Sequence, residues 1–354
     1  MTTSHLAPAA YVSQPHTFFP PHAISLQEIE DDIARVHADH PRLAVVLRTV
    51  RATGVRQRYF VRPLAEVSAT EPIAERNARA FADVCQMGER AAIGTLAQAG
   101  LQPAEIDCLI TSHATGIAMP GLDVHLIATL GLRPDVRRIP VNQLGCAGGT
   151  FALVRAAEYL RARPGDRVLV VCSEAVSSVY QHSETTIEGM IYKALFGDSA
   201  AAVIVTSDPL GPGIRIEDTK ELTLPNSALR YRMQVHGDGF HFVSTKAALD
   251  STKEAMPYLL PWYRGEEGEG FDFVVGHPGG PRVIDDVEAG LGVSPELLRH
   301  SRASLAENGN LAGVAVLNVL QRHYAEAPKD GARGLVLGLG PGFTIAACKS
   351  SWIS

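Results

Sequence analysis

Cysteine is scarce and scattered in this chain: five residues, Cys85, Cys108, Cys146, Cys172 and Cys348, an odd number with no CxxC pair. That pattern excludes a disulfide framework or a cysteine zinc site as the economical reading, so any reactive thiol works reduced. Positive charge is thin as well. Lys and Arg together number 32 against 38 Asp and Glu, giving a formal net charge of -6, and only six of the cations are Lys. No basic stripe offers a nucleic acid a docking surface. No apolar run reaches the roughly 18 residues a membrane span needs. The first 24 residues lack the basic start and continuous apolar core of a secretory signal. A cytoplasmic location, away from nucleic acid and membrane, is the expectation.

What is present is an internal echo. His113 and Cys146 are 33 residues apart, and so are His277 and Asn310. Each pair follows the same order: an apolar run (DCLITS, FDFVVG), a His, then a helix opening on a polar residue. The chain therefore reads as two copies of one α/β unit, 1–208 and 209–354, divided at the SDPLGPG break. Cys146 and Asn310 fall at equivalent helix starts, and His277 at the end of a second-half strand. A Cys, a His and an Asn could thus converge between the halves as an acyl-thioester site.

Along the chain, Ser25 and Glu28 form a capping box ahead of Leu26, Ile29, Ile33 and Val36 at helical spacing. A second helix is expected over Glu75 to Ala99. Between them RTVRATGVRQRYFVR is dense in Arg, either a solvated face or a docking surface for a polyphosphate. From Asp107 onward DCLITS, RVLVVCSE and AAAVIVTS read as buried strands of a layered α/β fold. An irregular polar stretch to about Glu269 precedes FDFVVG, GLVLGLG and GFTIAACK, which repeat the series. The two matched helices are CAGGTFALVRAAEYLRAR and NLAGVAVLNVLQRHY, each with an apolar side.

Cys146 follows the Gly-bearing approach NQLG and opens a helix beginning Ala-Gly-Gly. Helix-start N–H groups stabilise a thiolate, and small neighbours leave room for a substrate; the alternative is a packing cysteine. His277 precedes PGGP, whose Pro and Gly fix a turn and keep bulk off the imidazole, which can take or hold a proton; otherwise it is structural. Asn310, inside ENGN, brings an uncharged amide donor, or merely caps its helix. A neutral donor pair suits decarboxylation of a malonyl thioester, where an enolate oxygen acquires charge that Asp or Glu would repel.

The motifs NQLGCAGG, ALFGDSAAA, GFHF, GHPGGPRVIDDVE, ENGN and GLGPG, in this order, closely resemble the type III polyketide synthases, the chalcone- and tetrahydroxynaphthalene-synthase-like family. The resemblance runs from about Ser25 to Lys349. It implies a thiolase-like αβαβα five-layer α/β fold, a homodimer, and an acyltransferase that condenses malonyl-CoA repeatedly onto an acyl-CoA starter, followed by closure to a pyrone or resorcinol-type product. It implies no bound metal and no organic cofactor. Carried over position by position, it makes Cys146 the nucleophile with His277 and Asn310, Phe196 and Phe240 the gatekeepers between CoA tunnel and cavity, and Met119 the residue that reaches into a partner's cavity.

The departures bear on the product. Of the family's basic CoA-contact positions Arg48 is kept, two Lys positions fall on Val45 and Ala52, and Arg51 is a candidate replacement. Cavity positions fall on Ala114, on Tyr192, which adds bulk to a floor usually filled by Gly or Ser, and on Ala312. Two competing readings are a thiolase-fold acyltransferase or priming ketosynthase performing one transfer or condensation, and a catalytically silent scaffold. HPGGP and the paired Phe favour the polyketide synthase over the acyltransferase or priming ketosynthase; three matched catalytic residue types argue against the scaffold.

Overall fold

A computed structural model describes residues 10–264 and 270–354. Its centre is a ten-stranded mixed sheet, in the order Phe273–Gly276, Arg333–Gly340, Thr344–Ile353, Gly213–Thr223, Ala10–Val12, Ser199–Thr206, Val168–Glu174, Cys108–Ser112, Arg137–Pro140, with His16–Phe18 also paired to Ser199–Thr206. The β-branched runs singled out in the sequence are these strands. Cys108–Ser112, Val168–Glu174 and Ser199–Thr206 are buried at every residue, because helices cover both faces.

The duplication is visible in the pairing. In the first half Cys108–Ser112 lies parallel to Val168–Glu174, which turns back antiparallel to Ser199–Thr206. In the second, Phe273–Gly276 lies parallel to Arg333–Gly340, which turns back antiparallel to Thr344–Ile353. The matched helices Gly148–Ala162 and Ala315–His323 link the parallel strands of their own halves and lie together in the central layer. Both are buried around nearly their whole circumference, more than the one apolar side expected, because half-sheets pack on them from two directions. Outer helices Ile73–Ala99 and Leu122–Leu130 cover the first half-sheet, and Ser251–Arg264, Pro281–Leu291 and Arg299–Asn308 cover the second. The result is a five-layer αβαβα fold.

Glycine sets how closely the central helices meet. A Cβ on Gly149 would lie 2.2 Å from the Gly313 carbonyl oxygen, and one on Gly148 would lie 2.3 Å from Ser112 Oγ. The AGG after Cys146 and the AG after Leu311 therefore let two backbones touch. That contact ties the segment bearing Cys146 to the segment bearing Asn310.

Elsewhere the first helix is Leu26–Val36, with the Ser25–Glu28 capping box formed in both directions. The long helix begins at Ile73, two residues before the expected start, behind Pro72. The stretch read as irregular is regular: it holds strand Gly213–Thr223, a hairpin of Tyr231–His236 and Gly239–Ser244, and helix Ser251–Arg264. The hairpin strands are only half buried and Pro257 and Pro261 sit inside the helix, so neither shows the periodicity that marks an element in sequence. Among the described residues no helix is long and apolar enough to cross a membrane.

Candidate active site

Cys146 sits in a 3₁₀ turn, Gly145–Ala147, that runs directly into Gly148–Ala162. Two loops hold this turn. Gly145 takes a positive φ of 50°, and a Cβ there would lie 3.0 Å from Pro341 Cδ. Gly340 is as tight on the other side, since its Cβ would lie 2.8 Å from the Leu144 carbonyl oxygen. GLGPG is thus the second half's brace for the cysteine turn.

Asn310 belongs to the matching turn of the second half, and its backbone is pinned to the first. Its N–H donates to Leu195 O at 2.8 Å, and its carbonyl accepts from Gly197 N at 3.1 Å. Its side chain accepts from Ala312 N at 2.9 Å, a local bond two residues on rather than a helix cap, since Leu311 occupies the N-cap position of the turn Ala312–Val314, and donates from Nδ2 to Gly279 O at 3.3 Å. The same amide reaches the cysteine: Cys146 Sγ lies 3.9 Å from both Oδ1 and Nδ2. The bond to Ala312 and the contact with sulfur are made by one amide.

His277 follows strand Phe273–Gly276, is buried, and donates its backbone N–H to Leu337 O at 2.8 Å. A Cβ on Gly279 would come within 3.2 Å of His277 Nε2, so PGGP does keep bulk from the ring. Nδ1 has no protein partner among the described residues. The Gly279 carbonyl that receives the Asn310 amide belongs to the same turn, linking His277 and Asn310 through one loop.

Burial acts on both titrating groups. It pushes the Cys146 thiol up to about 12, with the nearby Glu174 carboxylate adding to the effect and Asn310 opposing it, and it pushes His277 down to about 3. Desolvation of the sulfur therefore opposes the helix-end N–H groups that favour a thiolate. Each group alone resists charging.

Phe196 and Phe240 are both buried, in one apolar cluster with Val176, Val179 and Ala312, against which Cys146, Tyr192, Met233 and Phe242 pack. Tyr192 stacks on Phe196 at 5.6 Å, and Phe242 lies 5.3 Å from Phe196, so Phe242 is a third aromatic of this wall that the sequence reading passed over. GFHF alternates along a strand, which places both of its Phe on one face. Ala312 has a positive φ of 49°. Ala114 donates its N–H to Glu174 Oε1 at 3.0 Å.

Glu174 is the other residue the sequence reading missed. It ends a fully buried strand and also accepts from Thr115 N at 3.1 Å and Thr115 Oγ1 at 2.8 Å. Burial pushes its carboxyl up to about 7 despite these bonds. A charged residue closing an all-apolar run, in RVLVVCSE, was the available signal. Among the candidate CoA residues, Arg48 is exposed, while Arg51 spends its guanidinium on Glu30 through two bonds of 3.0 and 3.1 Å. The Arg-dense segment is mostly paired: Arg62 bonds Asp83, and Arg58 is wholly buried, donating to the carbonyls of Ala194 and Ser25. Met119 is 97% exposed, on a loop fastened to the long helix by reciprocal bonds between Asn77 and Ile117. A surface cleft of about 200 Å³ lined by Gln98, Pro212 and Tyr324 contains none of these residues.

Residues 19–209 match the N-terminal domain of chalcone and stilbene synthases, and residues 265–349 match the C-terminal domain. The chain is 34% identical over 341 residues to phloroglucinol synthase of Pseudomonas fluorescens, covering 96% of this chain and 98% of the relative. It is also 34% identical over 350 residues to 1,3,6,8-tetrahydroxynaphthalene synthase of Streptomyces griseus, covering 97% and 93%. Among solved structures, 1,3,6,8-tetrahydroxynaphthalene synthase from Streptomyces coelicolor A3(2), a bacterial type III polyketide synthase, superimposes with a TM-score of 0.93 at 33% identity, over 97% of this chain and 99% of that one. Germicidin synthase from Streptomyces coelicolor, also a type III polyketide synthase, gives 0.92 at 32% identity over 98% and 100%. With both domains matched in order and the thiolase-like fold shared over nearly the full length, the chain belongs to the chalcone and stilbene synthases and is a type III polyketide synthase, an enzyme of the acyltransferase class.

Proposed function

We propose that Cys146 is the nucleophile of this polyketide synthase, that His277 exchanges its proton, and that His277 and Asn310 together stabilise the enolate formed from malonyl-CoA. In loading, Cys146 sulfur attacks the starter thioester carbonyl, His277 takes the thiol proton, and CoA leaves as the thiol with that proton. In extension, malonyl-CoA loses CO₂, and the electron pair of the broken carbon–carbon bond becomes an enolate. His277, neutral because it is buried, and the Asn310 amide can then each give an N–H to the enolate oxygen without introducing a fixed charge. The enolate carbon attacks the acyl-Cys146 carbonyl, expelling the sulfur as a thiolate, and the lengthened CoA thioester is transferred back to Cys146 with release of CoA for the next round.

The observation that supports this most is the Asn310 amide at 3.9 Å from Cys146 Sγ, joining positions 164 residues apart at the meeting of two halves. We read 1–208 and 209–354 as those halves, one supplying the nucleophile and the other the donors. Phe196 and Phe240 are read as the gate in front of it, Ala114, Tyr192 and Ala312 as cavity lining, and Arg48, with Arg51, as the contacts to the CoA phosphates. Neither a metal nor an organic cofactor is needed by these steps. Fully exposed Met119 fits a homodimer in which it enters the partner's cavity. The product is read as a pyrone or resorcinol-type ring. The relatives' names differ in product, and small Ala114 and Ala312 together with bulky Tyr192 are read as the residues that shape this chain's cavity.

The test separates malonyl-CoA decarboxylation from product formation. Asn310→Ala and His277→Ala should each slow CO₂ release by ~10²–10³-fold, and the double variant should lose far less than the product of the two. Near-normal CO₂ release in Asn310→Ala would remove it from the mechanism.

A further inference from the structure

The hairpin Tyr231–His236/Gly239–Ser244 has two faces. Phe240, Phe242 and Met233 share one, in the aromatic cluster that packs against Cys146. The other bears His236 and His241. His236 pairs with Gly239 and His241 with Gln234, so the two imidazoles are diagonal neighbours on one face, with ring centroids 4.6 Å apart. The two-residue turn between the strands adds a carboxylate, Asp238 Oδ1, 3.1 Å from His241 Nε2. One ligand atom from each of His236, Asp238 and His241 lies within 4.8 Å of the others. Zinc–nitrogen and zinc–oxygen bonds of about 2.0–2.1 Å in a tetrahedron put ligand atoms roughly 3.4 Å apart. One pair already meets that spacing, and exposed His236 needs only a side-chain adjustment to close the third corner.

A different stretch of chain supports the histidine from behind. His241 Nδ1–H donates to Glu184 Oε2 at 2.7 Å, and the other oxygen of that carboxylate is held by Thr186 N at 2.8 Å and Thr186 Oγ1 at 2.6 Å. A carboxylate on the far nitrogen fixes the ring and directs the Nε2 lone pair outward, the usual support for a metal-bound histidine. Gln181, 2% exposed, brings its amide Nε2 to 2.9 Å from His241 Nε2, and its Oε1 has no hydrogen-bond partner among the described residues. The same Nε2 also donates to Phe240 O at 3.2 Å, so rotating the amide to present the unpartnered oxygen at that point gives up this one bond.

We propose that His236, Asp238 and His241 bind a divalent transition cation of the zinc class, with Glu184 orienting His241 and Gln181 available as a fourth oxygen donor. On binding, His241 Nε2 exchanges a proton, released to solvent, for the ion. The cation takes no part in acyl transfer. It fastens the hairpin turn to the segment bearing Gln181 and Glu184, and so stiffens from outside the aromatic wall that stands against Cys146.

Chelator-treated protein carrying Cys146→Ala, which removes the one partly buried competing thiol, is titrated with ZnCl₂ by calorimetry. One zinc per chain is expected at roughly micromolar affinity or tighter, with a raised melting temperature. His236→Ala and Asp238→Asn should each weaken binding at least tenfold, and Glu184→Gln by ~10–100-fold, as for other outer-sphere partners. Co²⁺ in place of zinc should show the visible absorption of a four-coordinate site, lost in His236→Ala. Because His236 is exposed, that variant keeps the fold, which its circular dichroism would verify. Zinc binding of equal affinity and number in His236→Ala and Asp238→Asn, or no binding at such concentrations, would overturn the proposal.

Discussion

Replacing Gly149 with Ala adds one methyl group at the point where the segments bearing Cys146 and Asn310 touch. The new Cβ would lie 2.2 Å from the Gly313 carbonyl oxygen and 2.9 Å from Val316 Cγ2. The first obstacle is backbone, so relief requires the two helices to separate by about 1 Å, to reach ordinary carbon–oxygen contact. Overpacking of this kind costs ~1–3 kcal/mol, and with backbone as the obstacle the upper end applies; the helix propensity gained over Gly returns at most ~1 kcal/mol. The expected net loss is therefore about 2 kcal/mol. Activity should fall further than stability. Cys146 and Asn310 each lie three residues before the contact, and a misplacement of about 1 Å between reacting groups costs ~10²-fold in rate. Urea unfolding would read the first quantity, and CO₂ release from malonyl-CoA under conditions where the variant is fully folded would read the second. Gly165→Ala is the control, since a Cβ there meets nothing within 4 Å. A Gly149→Ala protein matching the parent in both assays would refute the claim that this contact sets the site's geometry.

The ionisation of Cys146 offers another check. Burial raises the Cys146 thiol, so once the proton acceptor is removed in His277→Ala the rate of iodoacetamide alkylation should climb tenfold per pH unit through the neutral range; with His277 present the profile should lie at lower pH, and identical profiles would exclude a Cys–His pair. Tyr192→Gly should admit longer acyl-CoA starters or lengthen the products by removing the ring stacked on Phe196, and Ala114→Phe should shorten them. Unchanged product spectra across a starter panel would show that neither residue lines the cavity. Sedimentation should give about twice the chain mass, and a fully active monomer would contradict the role assigned to Met119.

The duplication was legible because strand, His and helix start recur at one spacing, and the parallel–antiparallel pairing of the two halves bears it out. The capping box at Ser25 was legible for the same reason: its chemistry is local. Residues in the hairpin 231–244 were not legible as strands, since half-buried positions leave no clean alternation. The His236–Asp238–His241 cluster went with them, as its members meet only through cross-strand register, in a chain read as needing no metal. Glu174 was hidden by its run, where one charge after apolar residues reads as a strand end; only the fold brings Ala114 and Thr115 to its oxygens. The resemblance of the Arg-dense segment to a phosphate-docking surface could not reveal that Arg51 and Arg62 already hold carboxylates.

The proposed mechanism begins with a carbon–sulfur bond at Cys146. Intact-mass spectrometry of the protein after incubation with acyl-CoA, without malonyl-CoA, measures this directly: one acyl adduct per chain is expected, mapped by peptide digestion to the segment containing Cys146 and absent in Cys146→Ala. An adduct of the same mass that persists in Cys146→Ala would place the nucleophile elsewhere and contradict it.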